Sequence, residues 1–145
     1  GEEKLHTICG LIAGDEARHE NAYKLFMSKV FEIDPTGGLQ SFATMMKRKI
    51  AMPAVLMHDG KDHLLFTKFS KVAQQLGVYT VQDYAEIIQE LVRHWRIESL
   101  VGLSNAAAQA QDYLCNLGLR YQKLAERVVT DEKHSFSWIY ANESV

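Results

Sequence analysis

The chain carries the stretch GDEARHENAY at residues 14–23, and the apolar pattern around that stretch decides the fold. On both sides, apolar side chains recur at steps of three and four residues, which places them on one face of an α-helix. They are Leu5, Ile8, Ile12, Tyr23, Phe26 and Val30. The pattern predicts one amphipathic helix over residues 2–31, with this face buried. A helix of this length is unusual, because the average α-helix has only about 11–12 residues.

Two polar residues interrupt this apolar stripe, because Glu16 and His19 stand at positions where the spacing calls for apolar side chains. An unpaired carboxylate is costly to bury, so Glu16 needs a proton, a partner or a cation. A Glu and a His three residues apart can aim at one metal ion, as E-x-x-H helices do in di-iron bundles. A pair satisfied by Arg18, or by polar groups on another helix, explains the pattern equally well. From the stripe alone, both interpretations stay open.

The E-x-x-H spacing is weak evidence by itself, because Glu3 and His6 repeat it on the face that we expect to be solvated. Burial, and not spacing, would distinguish the two pairs. Asp15 lies one turn before His19, where a carboxylate can orient a metal-bound imidazole. The simpler interpretation of Asp15, a surface carboxylate paired with Lys or Arg, is favoured by the residues alone.

Several other polar residues favour ordinary structural roles. Glu90 and His94 fall off the apolar stripe of their helix and are expected on a solvated face. Four further polar residues lie close together in the sequence, and a polar turn explains them better than a metal site does. They are His58, Asp59, Asp62 and His63.

The basic cluster at residues 47–49 is either solvated or the contact site for an acidic partner. Cys9 and Cys115 are predicted to be core thiols. Two cysteines are too few for a disulfide framework, which is consistent with a reducing compartment.

The remaining chain also favours helices. They are predicted over residues 39–52, 64–76, 80–100 and 104–129, and residues 33–38 form a turn. Thr80 and Asp83 resemble a capping box, Ser104 suits an N-cap, and Gly118 is expected to interrupt the last helix. Residues 136–140 alternate and are rich in β-formers, which predicts a short extended tail.

Composition excludes several classes of protein. The chain has 145 residues, of which 47% are hydrophobic and 23% charged, and a net charge of −2. These values suit one globular domain and give no electrostatic footprint for nucleic acid. No apolar run approaches the length of a membrane-spanning helix. Gly1 already lies inside a helical pattern and no Met precedes it, so we expect a piece of a longer protein.

The stretch at residues 14–23 resembles the second E-x-x-H helix of the soluble plant acyl-[acyl-carrier-protein] desaturases. The resemblance continues in order through segments at residues 31–35, 42–50, 52–54, 76–80, 83–85, 102–104, 110–113 and 136–139. It implies that residues 1–145 are the C-terminal part of a single ferritin-like di-iron desaturase domain. The implied fold is an all-α helix bundle with a short extended tail.

The resemblance also implies a chemistry. Glu16 matches a metal-bridging carboxylate, His19 a terminal iron ligand, and Asp15 a carboxylate near the di-iron centre. The implied reaction uses O₂ and electrons from ferredoxin to insert a cis double bond into a saturated acyl chain, stearoyl by expectation. That chain is carried on acyl carrier protein, and no catalytic residue is implied beyond the metal ligands. A homodimer in the plastid stroma is expected, with no nucleic-acid or membrane partner.

The other metal ligands are expected upstream of Gly1, so this chain alone should be inactive. Two different classes of function compete with the enzyme. One is a metal-free helical scaffold or interaction domain of the same fold, in which protein groups satisfy Glu16 and His19. The other is an iron-storage protein, which would need a cage-forming surface.

Overall fold

Helices make up the fold in the computed structural model, which describes residues 1–48, 53–56 and 59–127. The α-helices are α1 (Glu3–Ile33), α2 (Pro35–Arg48), α3 (Leu65–Gln75), α4 (Val81–His94) and α5 (Asn105–Ala125). Short 3₁₀ turns follow α2 and α4. The described part of the chain contains no strand, which confirms the all-α prediction and fits a ferritin-like bundle. The extended tail predicted at residues 136–140 lies outside the described residues.

The long first helix is confirmed, with 31 residues in α1. The turn predicted at residues 33–38 is wrong in its second half, because α2 already begins at Pro35. Asp34 breaks the helix with a non-helical backbone, and its Oδ1 accepts a hydrogen bond of 2.8 Å from the amide of Gly37. Proline suits the first helical position, where its missing N–H leaves no partner unsatisfied.

Helix α4 begins as predicted and ends early. Thr80 and Asp83 form the expected capping box, each side chain bonding the other residue's backbone amide. The helix stops at His94 and not near Leu100, because Arg96 adopts a left-handed backbone with φ +48°. That conformation terminates α-helices.

Helix α5 is capped by Ser104 as predicted, and the expected interruption at Gly118 is wrong. Gly118 is buried inside the helix, where a Cβ atom would lie only 2.4 Å from Cγ of Gln89 on α4. The glycine therefore permits a close approach of α4 and α5.

The core lies where the C-terminal end of α1 meets α2, α5 and the turn after α4. Its buried side chains are Phe31, Leu39, Ala43, Ile97, Ala107, Ala110 and Leu114. Trp95 packs between two rings, with centroid distances of 5.5 Å to Phe31 and 5.4 Å to Phe42. This packing holds the end of α1 firmly.

The rest of α1 departs from the expectation of a buried stripe. Leu5, Ile8, Ile12, Tyr23 and Phe26 are all more than half exposed. The reason is that α1 packs mainly through its C-terminal end, so no described element covers this apolar face. None of the described helices combines the length and the hydropathy that a membrane span requires.

Candidate metal centre

Glu16 and His19 lie one helical turn apart in the middle of α1, and their side chains face each other. The Nδ1 atom of His19 is 3.4 Å from Oε2 of Glu16. The burial predicted for the pair is wrong in this chain, since the side chains are 71% and 60% exposed. They share the uncovered face of α1 with the apolar stripe, so the pair is open to groups from outside the described residues.

Arg18 does not neutralise Glu16, because its guanidinium forms an ion pair with Asp15. Asp15 therefore has the surface partner that the simpler interpretation expects. Within the described residues, the polar side chain in contact with the Glu16 carboxylate is that of His19. This arrangement leaves the Glu16 carboxylate available to a cation.

A groove of about 740 Å³ runs between α1 and α4 and includes both residues of the pair. Glu16, His19 and Glu20 line the α1 side. The α4 side is apolar and is formed by Ile87 and Leu91, with Trp95 just beyond the helix. The groove thus places a carboxylate and an imidazole beside an apolar wall.

Lys24 stands in the same groove and is held by a neighbouring carboxylate. Its Nζ lies 2.6 Å from Oε1 of Glu20, and its side chain is only 17% exposed. The hydrogen bond that Lys24 donates to Glu20 is the main cause that raises the pKa of Lys24, with a smaller contribution from Glu90 on α4. The ammonium group is therefore charged at neutral pH and neutralises Glu20, which leaves Glu16 and His19 as the groove's available ligand pair.

The donor set of Glu16 and His19 fits one half of an iron site. Carboxylate oxygen and neutral imidazole nitrogen are both iron ligands, and the spacing allows both to reach one ion. Within the described residues, no group of three or more His, Cys, Asp or Glu side chains is arranged to hold a metal. The pair therefore needs further ligands from outside the described residues to complete a centre.

The other sequence candidates separate clearly from this pair. Glu3 and His6 are exposed near the start of α1 and do not line the groove. Glu90 pairs with Arg93 at 2.9 Å, and His94 packs edge-on against Trp95. The solvated face predicted for Glu90 and His94 is confirmed, since both are exposed.

The acidic residues around the loop before α3 serve the turn itself. Oδ1 of Asp59 accepts hydrogen bonds from the amides of Lys61 and Asp62, at 2.9 Å and 2.7 Å. Asp62 accepts from the amide of Leu64 and from Nζ of Lys68, at 2.9 Å and 2.6 Å. The Lys68 bond is the main cause that lowers the pKa of Asp62. The polar-turn interpretation is thus confirmed for these two acids, while His58 lies outside the described residues.

The thiols differ from each other. Cys9 is exposed on α1, so the prediction of a core thiol is wrong there, for the same reason as the exposed stripe. Cys115 is half-buried, and burial raises its pKa.

In the basic cluster, Lys47 lies with Nζ 4.9 Å from the ring centroid of Tyr113.

Sequence reasoning missed two residues of the groove, Lys24 and Trp95. The spacing of Glu20 and Lys24, four residues apart, is a signal that could have identified the ion pair. Trp95 offers no such signal, because nothing in the neighbouring sequence indicates that its ring faces α1.

Comparison with known proteins gives one family, the fatty acid desaturases, in both the family profile and the individual relatives. The profile of the family described as fatty acid desaturase matches residues 1–140. A stearoyl-[acyl-carrier-protein] 9-desaturase 2, named chloroplastic, from Oryza sativa subsp. japonica is 53% identical over 99% of this chain. The chloroplastic stearoyl-[acyl-carrier-protein] 9-desaturase of Brassica napus is also 53% identical, and that of Simmondsia chinensis 49% identical, each over 99% of the chain. The chain spans 37% of the length of each of these relatives.

Proposed function

The chain belongs to the fatty acid desaturase family, and we propose that the intact protein is an acyl-[acyl-carrier-protein] desaturase. It would introduce a cis double bond into a saturated acyl chain, stearoyl by the names of its relatives. Residues 1–145 would be the C-terminal part of one di-iron domain and contribute one half of the metal site. The observation that carries the proposal is the Glu16–His19 pair, which lies beside an apolar groove and is not neutralised by a Lys or Arg of the described residues.

We assign iron binding to Glu16 and His19. Both groups must be deprotonated to bind a metal, so iron would replace the contact between Nδ1 of His19 and Oε2 of Glu16. When bound, a di-iron centre supplies the O₂-dependent oxidation that removes two hydrogens from adjacent carbons. Asp15 would be a residue that positions the ligands of the site. In this chain its carboxylate forms an ion pair with Arg18.

The apolar side of the groove would hold the acyl chain. Ile87, Leu91 and Trp95 offer an apolar surface against which a hydrocarbon chain would be removed from water. A fixed hydrocarbon beside Glu16 and His19 presents the same carbons to the site in each turnover, which is how positioning contributes to rate.

The partners and the location of the intact protein follow from the family resemblance. The acyl carrier protein would deliver the substrate, in agreement with the relatives' names. Ferredoxin would supply electrons, and the protein would act as a homodimer in the plastid stroma. The relatives' designation as chloroplastic supports a plastid location.

Iron analysis of the intact protein tests the ligand assignment. We expect Glu16→Gln to lose iron, because a neutral amide is a much weaker iron ligand than a carboxylate. Glu3→Gln is the matched control, since Glu3 belongs to an E-x-x-H pair of equal spacing outside the groove and should keep its iron. Full iron content in Glu16→Gln would refute the assignment.

A second measurement tests the reaction itself. The intact protein, reduced ferredoxin and stearoyl-acyl carrier protein should together form an unsaturated acyl product, analysed by mass spectrometry. An iron-free wild-type protein that forms no product would favour the alternative of a metal-free helical scaffold.

A further inference from the structure

Three side chains of the types that bind iron line the α1 side of the groove, and the structure keeps one of them apart. They are Glu16, His19 and Glu20. At about 100° per residue, the three fall within an arc of about 100° around α1, with Glu16 in the middle. Glu20 follows Glu16 by four residues, a spacing that places the two Cβ atoms about 5–6 Å apart. Helix geometry alone would therefore let Glu20 join the other two as a third ligand.

An ion pair gives Glu20 a different partner. Oε1 of Glu20 lies 2.6 Å from Nζ of Lys24, which is one turn further along α1 and away from Glu16. The side chain that contacts Glu16 is that of His19, at 3.4 Å. In the part of the chain that the structure describes, no three side chains of ligand type form a cluster that could hold a metal. The ion pair therefore separates Glu20 from the pair of Glu16 and His19.

Lys24 is the fixed member of this ion pair. Its side chain is only 17% exposed, against 62% for that of Glu20. The backbone carbonyl oxygen of Lys24 accepts hydrogen bonds from Nε1 of Trp95 at 3.1 Å and from the hydroxyl of Ser28 at 2.9 Å. Because its backbone is held and its side chain is largely covered, Lys24 provides a stationary cation for the exposed carboxylate of Glu20.

A second ion pair on α1 shows what a purely local role looks like. Nζ of Lys29 lies 2.5 Å from Oε2 of Glu32, and both side chains are exposed. Neither residue lines the groove that contains Glu16. Exposed ion pairs of this kind contribute little to stability. The pair of Glu20 and Lys24 differs in its covered cation and in its position beside two candidate metal ligands.

We propose that Lys24 is a positioning residue for the metal site, which holds Glu20 away from the iron and limits the ligands from α1 to Glu16 and His19. The proposal rests on the proposed function and adds to it the residue that determines the ligand set. An iron centre that reacts with O₂ needs a coordination position that no protein group fills. A third ligand from the same helix would occupy such a position, so the ammonium group of Lys24 keeps it open.

Anaerobic titration of the intact protein with Fe(II), followed by binding of nitric oxide to the iron-loaded protein, tests this role. Nitric oxide is a neutral ligand that requires an open coordination position, so it reports the ligand set and not the net charge. Lys24→Met keeps an apolar stem in the groove and releases Glu20. This variant should bind iron about tenfold to hundredfold more tightly, the range in which residues around metal ligands act, and should lose most of its nitric oxide binding. Lys24→Arg keeps the ion pair and should behave as the wild-type protein does.

The control variants separate the ligand set from the ion pair itself. Lys24→Met/Glu20→Gln should restore the iron affinity and the nitric oxide binding of the wild-type protein, because the competing carboxylate is gone. Lys29→Met is the matched control, since it breaks an ion pair on the same helix outside the groove and should leave both measurements unchanged. Glu20→Gln alone should keep its full iron content, and this result tests the proposal even if Lys24→Met does not fold.

The outcomes distinguish this proposal from the proposed function. An intact wild-type protein that binds no iron contradicts the function itself. If the wild-type protein binds iron, loss of iron in Glu20→Gln overturns the role of Lys24, because Glu20 would then already be a ligand. Tighter iron binding with unchanged nitric oxide binding in Lys24→Met also overturns it, since the lost charge alone explains that result. Equal losses in Lys24→Met and Lys24→Met/Glu20→Gln would assign Lys24 a purely structural role.

Discussion

The indole Nε1 of Trp95 donates a hydrogen bond of 3.1 Å to the backbone carbonyl oxygen of Lys24. This bond joins the residue that caps α4 to the C-terminal half of α1, across 71 positions of sequence. Trp95 also lines the groove that contains Glu16 and His19. The bond therefore fixes the distance between the two walls of the groove at its end nearest the core.

Replacing Trp95 should separate the hydrogen bond from the packing. Trp95→Phe keeps a ring against Phe31 and Phe42 and loses the bond to Lys24, which should cost about 0.5–1.5 kcal/mol. Trp95→Ala also removes the ring and should cost about 3–5 kcal/mol. Urea unfolding of the intact protein measures both. Equal losses for the two variants would contradict this division between bond and packing.

The close contact of α4 and α5 predicts that Gly118→Ala destabilises the protein, although alanine is the better helix former. The new Cβ would lie 2.4 Å from Cγ of Gln89, so α4 or the Gln89 side chain must move. Overpacking of this kind costs about 1–3 kcal/mol. The double variant Gly118→Ala/Gln89→Ala should recover most of the loss in thermal unfolding. If Gly118→Ala alone unfolds at the wild-type temperature, the contact is not tight in solution.

The capping box of α4 predicts a pH dependence. Hydrogen bonds from the hydroxyl and the amide of Thr80 lower the pKa of Asp83, so the folded protein favours the carboxylate. The stabilisation is present above the unfolded pKa of about 3.9 and is lost as the pH falls through the lower folded value. Asp83→Asn should therefore be destabilising at pH 7 and nearly neutral in strong acid, as measured by urea unfolding across pH.

Thr80→Ala gives the control for that profile. It removes the hydroxyl that accepts from the amide of Asp83 at 3.1 Å and should cost about 1 kcal/mol at neutral pH. Because threonine does not titrate, part of this loss should persist in acid, where Asp83→Asn no longer differs from wild type. A pH-independent loss in Asp83→Asn would be inconsistent with the capping role.

Local chemistry explains which helices the sequence predicted well. Apolar periodicity and caps such as Thr80 and Ser104 act within a few residues, so their consequences are readable from the chain. The early end of α4 was not predictable in this way. Arg96 adopts a left-handed backbone that glycine or asparagine usually occupies, and only the packing of Trp95 and Ile97 explains it.

For the candidate site, the sequence predicted the shared helix face of the two residues but not their exposure. The spacing of Glu16 and His19 correctly predicted that they share a helix face, because helix geometry alone fixes it. Their burial could not follow from the same pattern, since burial depends on what packs over α1. An apolar stripe shows that a helix has a partner surface, but it does not contain the residues of that partner.

The left-handed backbone of Arg96 yields a last prediction. A side chain at φ +48° brings Cβ close to the following carbonyl oxygen, which costs about 1–2 kcal/mol in L-residues. Glycine avoids this cost but gains entropy in the unfolded chain, so Arg96→Gly should stabilise the protein by up to about 1 kcal/mol. Gly77→Ala is the reverse test, because Gly77 has φ +67° and ends α3. It should lower the unfolding temperature. Arg96→Ala removes the guanidinium but keeps Cβ, so a gain in Arg96→Gly that is absent in Arg96→Ala would assign the effect to backbone strain.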